Sequence, residues 1–236
     1  MHVFFTPDTA TELIQLSEEE SRHCSRVLRL GVGHEVIVTD GQGSWIHAVI
    51  DVIDNHKVML RTIRKEDFFG KRPFHLHMAV APTKSMERFE WFLEKATECG
   101  IDEISPIICE KSERRIVKPG RMEKILVSAM KQSMRAYLPK LNQAVDLQTF
   151  LERPVQNNAY IAHCSMSGKT NLAKEYKAGS DILIMVGPEG DFTDVEIDAA
   201  ISKGFHPISL GTERLRTETA AITLCIQANT MNGLLQ

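Results

Sequence analysis

Between residues 34 and 65, "HEVIVTDGQGSWIHAVIDVIDNHKVMLRTIRK" holds three runs in which apolar and polar positions alternate. A period of two puts one face on a core and the other in water, so the runs read as strands. "DGQGS" and "DNHK" between them are hairpin signals. Ahead of them, "SEEESRHCSRVLRL" carries helical spacing, with Ser17 as N-cap and Glu20 three residues later. Residues 66–73, "EDFFGKRP", gather glycine, proline and charge as a linker does. From Phe74 onward the rhythm becomes strand and helix in alternation: "FHLHMAVA", then "SMERFEWFLEKATECG" ending at Gly100, then "EISPIIC", a helix over 120–137, and a strand at "AYIAHC". The pattern predicts a small barrel-like β unit over residues 1–70 and an α/β domain with a mostly parallel sheet over residues 74–236.

The later half carries the densest chemical signals. "DILIMV" is short, β-branched-rich and uncharged after Asp181, as a strand covered on both faces would be. It runs into Gly-Pro-Glu-Gly, and Thr193 with Glu196 has capping-box spacing, which predicts a helix over 193–203. The strand "HPISL" then leads through a loop with Gly211 to a helix over "ETAAITLCIQANTMNGLL". Two strands thus finish in glycine-bearing loops at one edge of the sheet, where open α/β sheets bind ligands. Glycine lets a backbone approach a flat ligand closely, and Leu210, Leu215 and Ile222 are candidate apolar walls. Arg216 just before the helix is either a functional cation or a solvated flanking charge. The final helix is apolar across much of "AAITLCIQA", which points to a partner surface or to a core helix of the chain itself.

Composition narrows the classes. The chain has 236 residues, 43% hydrophobic and 25% charged, in the range of globular proteins. A net charge of −3 gives no global field for nucleic acid, so RNA contact must come from local patches. "MHVFFTPDTATE" lacks the features of a signal peptide, and no apolar run reaches the length of a membrane span. Cys24, Cys99, Cys109, Cys164 and Cys225 are scattered without CxxC spacing, which fits reduced thiols in a cytoplasm and no zinc site. The nine histidines include no HxxxH or HExxH pair, and His75 and His77 alternate on a strand in a structural role. "HCSMSGKT" at 163–170 ends as a phosphate loop ends, but His163 stands where that loop needs glycine, so nucleotide hydrolysis is disfavoured.

"VGPEGDF" together with "LGTERLRTETA" closely resembles the end of the ribosomal RNA small-subunit methyltransferase E family, of the SPOUT superfamily. "KATECGIDEISPIICEKS", "KQSMRAYLPK" and "HCSRVLRLGVGHEV" agree with the same family in the expected order, and together the motifs cover both domains. The resemblance implies a PUA-like RNA-binding β-barrel over 1–70 and a methyltransferase domain over 74–236 with a deep trefoil knot. A bent S-adenosylmethionine would lie between its loops. It implies methylation of N3 of a uridine in small-subunit (16S) ribosomal RNA by a cytoplasmic homodimer. The cofactor residues would be Gly187, Pro188, Glu189, Gly190, Leu210, Gly211, Leu215 and Thr219. Two positions depart from the family pattern: Asp191 stands where a second glycine is usual, and Glu213 where arginine is usual, with Arg214 one place later.

A sulfonium methyl is already activated, so the protein must align it with the attacking nitrogen. Loss of the N3 proton spreads charge onto the uracil carbonyls, where a fixed cation would stabilise it, and Arg216 is the candidate. Glu218 is either a base or a carboxylate favoured by the helix dipole. For RNA, Arg22, Arg26 and Arg29 recur at helical spacing, and "KSERRIVKPGRMEK" forms a second patch containing Arg114 and Arg115; Arg135 joins them as a candidate. A different-class alternative is an RNA-binding assembly factor with the same fold and no transfer activity. Intact Gly187, Gly190, Gly211 and Arg216 favour the enzyme.

Overall fold

The computed structural model describes residues 2–54, 57–155, 158–164 and 169–234. Asn55 and His56 of the second hairpin signal, residues 165–168 of the phosphate-loop-like stretch, and Leu235 at the end of the last expected helix lie outside them. The chain divides into two compact units, Met1–Lys71 with Val127–Leu138, and Arg72–Leu126 with Pro139–Gln236.

The first unit is built on β1 (Val3–Phe5), β2 (Leu13–Gln15), β3 (Glu35–Thr39), β4 (Trp45–Asp54) and β5 (Lys57–Glu66). They pair in the order β1-β3-β4-β5-β2, with only the β1–β3 pair parallel. The alternating runs turn Val36, Val38, Ile46, Ala48, Ile50, Val58 and Leu60 onto one core with Phe4, Ile14 and Leu16. The expected N-terminal helix is interrupted. Ser17 caps α1 (Glu18–Arg22), its hydroxyl accepting the Glu20 amide at 3.2 Å, but His23–Val27 continues as a π-helical turn. The Glu20 carboxylate, buried, takes Lys131 at 2.5 Å instead of closing a capping box.

Lys131 belongs to α3 (Pro119–Gln132), whose last turns count with this unit. The periodicity predicted a helix to residue 137, but α3 stops at Gln132 and Met134 takes a φ of 57°. The reason is pairing beyond the helix. Leu138 donates to the Gly41 carbonyl at 2.9 Å, Thr39 donates to the Ala136 carbonyl at 3.2 Å, and Ala136 is buried with Val3, Ile37 and Trp45.

The second unit carries a seven-stranded sheet. Its strands are β6 (Leu76–Val80), β7 (Glu103–Ile108), β8 (Lys140–Leu141), β9 (Val145–Asp146), β10 (Ala159–Ala162), β11 (Ile182–Val186) and β12 (His206–Ile208). The order is β12-β10-β11-β6-β7-β8, with β9 also on β7, and every pair is parallel. Helices α2 (Met86–Cys99) and α7 (Thr217–Met231) pack on each other, and α7 lies on β6 and β11. Helices α4 (Leu147–Leu151) and α6 (Asp194–Ser202) cover Leu183 and Met185 on the opposite face, while α5 (Leu172–Glu175) follows β10. This two-sided cover is why "DILIMV" has no polar alternation. The capping box forms as the spacing predicts: Thr193 and Glu196 bond each other's backbone amides. The short pieces β8, β9, α4 and α5 carry too few residues to show a period, and the sequence pattern did not separate them.

Candidate functional site

Strands β10, β11 and β12 lie side by side and point the same way, so their carboxyl ends open on one edge. A cleft of about 830 Å³ lies there, between the stretches after β10, after β11 and from β12 to α7. Of the residues expected to hold the cofactor, Gly187, Pro188, Glu189, Leu210, Gly211 and Leu215 line it, as does Arg216. Gly190 and Thr219 do not. Gly190 backs onto Lys111, whose Cβ lies 3.0 Å from where a side chain would begin. Of the candidate apolar walls, Ile222 is buried in the domain core and also off the cleft.

The loops are tied to one another. Thr217 donates to the Gly187 carbonyl at 2.9 Å, fixing the start of α7 to the end of β11. Arg214 donates to the Glu189 carbonyl at 3.1 Å, and a Glu189 carboxylate oxygen accepts the Lys84 amide at 2.9 Å. The Ser209 hydroxyl donates to the Gly211 carbonyl at 3.0 Å, and its oxygen lies 3.2 Å from the Gly211 amide, so residues 209–211 form a tight turn. Gly211 has a φ of 129°, a conformation that favours glycine, and no atom among the described residues lies within 4 Å of the Cβ it lacks. Backbone geometry is what requires glycine there. At Gly187 the reverse holds: a Cβ would sit 3.0 Å from the Phe192 ring.

Arg216 is the N-cap residue of α7, exposed on the cleft, and its side chain has no hydrogen-bond or ion-pair partner among the described residues. Glu218 is not on the cleft. It lies buried in the first turn of α7, with one oxygen 3.8 Å from Arg88 of α2 and the other without a partner among the described residues. The second helical residue after Arg216 falls on the face packed against α2, which is why two neighbours in sequence separate in space.

Sequence reasoning missed the third wall. His163, Cys164 and Lys169 line the cleft from the end of β10, with Asp191, Thr217 and Ala220. The sequence presents the stretch 163–170 as a run resembling a phosphate loop; the simpler signal is a polar run following a buried strand, as the two glycine loops do. Both ring nitrogens of His163 are buried without a partner among the described residues. Burial pushes its pKa down, and Lys169 adds to this against Asp191 and Asp194. Burial, with Asp191, pushes the Cys164 thiol up, away from reactivity.

The RNA candidates are scattered among environments. Arg22 pairs with Glu18 at 2.8 Å on α1, while Arg26 sits in the π turn and Arg29 beyond it with a φ of 53°. These three do not form the single α-helical face that their spacing predicts, because the π turn shifts the register. In the second unit, Arg114 donates to the Lys84 carbonyl at 2.8 Å and Arg115 to the Glu110 carbonyl at 3.0 Å. Arg135 is half-buried in the turn after α3. No helix among the described residues is long and apolar enough to cross a membrane.

Residues 70–229 match the RNA methyltransferase domain family, and residues 16–63 match the RNA methyltransferase PUA domain family. The ribosomal RNA small subunit methyltransferase E of Rickettsia conorii is 31% identical over 92% of this chain and 89% of its own. The crystal structure of a probable rRNA methyltransferase from Porphyromonas gingivalis is 37% identical with a TM-score of 0.91, covering 99% of each chain. That of a ribosomal RNA small subunit methyltransferase E from Neisseria gonorrhoeae bound to S-adenosylmethionine is 26% identical with a TM-score of 0.89, covering 98% of each. The parallel sheet with its cleft, preceded by a PUA-like domain, and the match across both therefore identify the chain as a member of the ribosomal RNA small subunit methyltransferase E family, within the SPOUT superfamily.

Proposed function

We propose that the protein transfers a methyl group from S-adenosylmethionine to N3 of a uridine in small-subunit ribosomal RNA, in the cytoplasm. The observation that carries the reading is the cleft where three parallel strands end, lined by both glycine loops and by Arg216, whose side chain has no partner among the described residues. Its volume suits a nucleoside-sized ligand. Leu210, Leu215 and Ala220 offer apolar surface to a base, and His163 and Cys164 add a polar wall from the end of β10. When bound, S-adenosylmethionine supplies a methyl group activated by its sulfonium. The chain's part is to hold, orient and exclude water. Gly187 and Gly211 present bare backbone, and the Thr217 and Arg214 bonds fix the loops before the substrate arrives. Arg216 then meets the charge that appears on the uracil carbonyls when N3 loses its proton. Glu218, packed toward Arg88, is better placed to steady α7 than to take that proton.

For RNA, Arg26 and Arg29 are exposed and have no side-chain partner among the described residues, which favours them for phosphate contact over the paired Arg22. Arg114, Arg115 and Arg135 are proposed as further contacts. We propose that the second unit carries the knotted topology implied by the resemblance, in keeping with its match to the RNA methyltransferase domain family. We also place the working form as a homodimer.

The test is to map N3-methyluridine in small-subunit RNA from a strain lacking the gene. One modified uridine should lose its methyl group, and the purified protein with S-adenosylmethionine should restore it on isolated small subunits. Unchanged N3 methylation in the deletion strain would refute the assignment.

A further inference from the structure

The end of β10 and the loop after β11 are far apart in sequence, and one side chain joins them. Asp191 accepts the Cys164 amide through Oδ2 at 2.8 Å and the Phe192 amide through Oδ1 at 2.9 Å. Its φ of 62° is left-handed, a region that Asp tolerates better than most residues. Asp191, Cys164 and His163 all line the cleft. The backbone of this wall is gripped from a second side, because Lys169 donates to the His163 carbonyl at 3.0 Å. Lys169, Asp191 and Asp194 act electrostatically on the His163 ring, and neither ring nitrogen has a partner among the described residues. Phe192, whose amide Asp191 also holds, is buried directly beneath Gly187.

We infer that Asp191 is a positioning residue, a latch that binds the end of β10 to the Gly-Pro-Glu-Gly loop and so holds the His163–Cys164 wall in its cofactor-binding shape. The inference rests on the reading of the cleft as an S-adenosylmethionine site. Glycine at this position accepts the same backbone conformation and offers no acceptor, so Asp191→Gly removes the latch without straining the chain. Asp191→Asn keeps one acceptor oxygen and replaces the other with a donor.

The test combines calorimetry of S-adenosylmethionine binding, hydrogen exchange at the Cys164 amide, and single-turnover methylation. Loss of charge-assisted bonds to two amides should weaken cofactor binding in Asp191→Gly on the order of tenfold or more. Exchange at Cys164 should quicken in that variant, and the rate at saturating cofactor should stay near that of the unaltered protein. Asp191→Asn should fall between the two in affinity. Equal affinity in Asp191→Gly and the unaltered protein overturns the latch. So does an affinity loss with Cys164 exchange unchanged, because the effect would then belong to charge. An unaltered protein that binds no S-adenosylmethionine fails the site reading, and this inference with it.

Discussion

Arg216 is the residue on which the chemical reading turns, and its surroundings separate two roles. Its guanidinium lines the cleft without a protein partner among the described residues, so it is not spent on steadying the loop. Arg216→Ala should slow single-turnover methylation about a hundredfold or more, as loss of an oxyanion donor does, with S-adenosylmethionine affinity little changed. Lysine should rescue poorly, because a point charge lacks the planar fork that reaches two acceptors. Saturating single-turnover rates decide the matter: a near-normal rate in either variant would remove Arg216 from that role. At this scale the sequence was legible where a residue type is tied to backbone shape or motif, as at Gly187 and Gly211. It was silent where function depends on which way a neighbour turns. Glu218 stands two places from Arg216 and faces Arg88, and no spacing rule separates it from the cleft without knowing what α7 packs against.

At the scale of elements, the long apolar periods were readable and the local breaks were not. The strand before Gly187, the capped helix after it, and α2 with Gly100 after its last turn all follow from pattern. The π turn at His23–Val27 does not, because the helical repeat in the sequence runs through it without a break. That break has a measurable consequence. On an unbroken helix Arg22, Arg26 and Arg29 would act together; here Arg22 is held by Glu18 and the other two project from irregular backbone. Neutralising Arg26 and Arg29 together should weaken binding to small-subunit RNA. It should also reduce the slope of log affinity against log salt by roughly 0.7–0.9 for each phosphate no longer neutralised. Neutralising Arg22 alone should change the slope little. A slope unaltered in the double variant would return this surface to solvent. The exposed Arg22–Glu18 pair is worth only a few tenths of a kcal/mol by the general behaviour of such i,i+4 pairs, so its removal should leave folding intact.

At the scale of the whole molecule, the change of rhythm near residue 70 falls near the end of the Met1–Lys71 segment of the first unit, and Val127–Leu138, which joins that unit, lies beyond what periodicity can assign. A helix announces its own faces but not which body it serves. The same limit bears on the dimer. The apolar run of α7 suggested a partner surface, yet Ala221, Ile222, Leu224, Cys225 and Ala228 are buried within this one chain, under α2 and on β6 and β11. The run is therefore accounted for by the core, and any association would rest on what the chain leaves uncovered. On α7 that is Ile226, 41% exposed, and on α2 it is Trp91, 43% exposed. If a second copy covers α7, burying the 41% of Ile226 that is still exposed contributes on the order of 1 kcal/mol per copy, enough for one substitution to matter. Sedimentation at micromolar concentration should give a dimer for the unaltered protein. Ile226→Glu, which places a charge where it would be desolvated, should shift it toward monomer while the thermal midpoint of the isolated chain changes little. A monomer for the unaltered protein at that concentration would sink the homodimer, and a dimer equally tight in the variant would take α7 out of its interface.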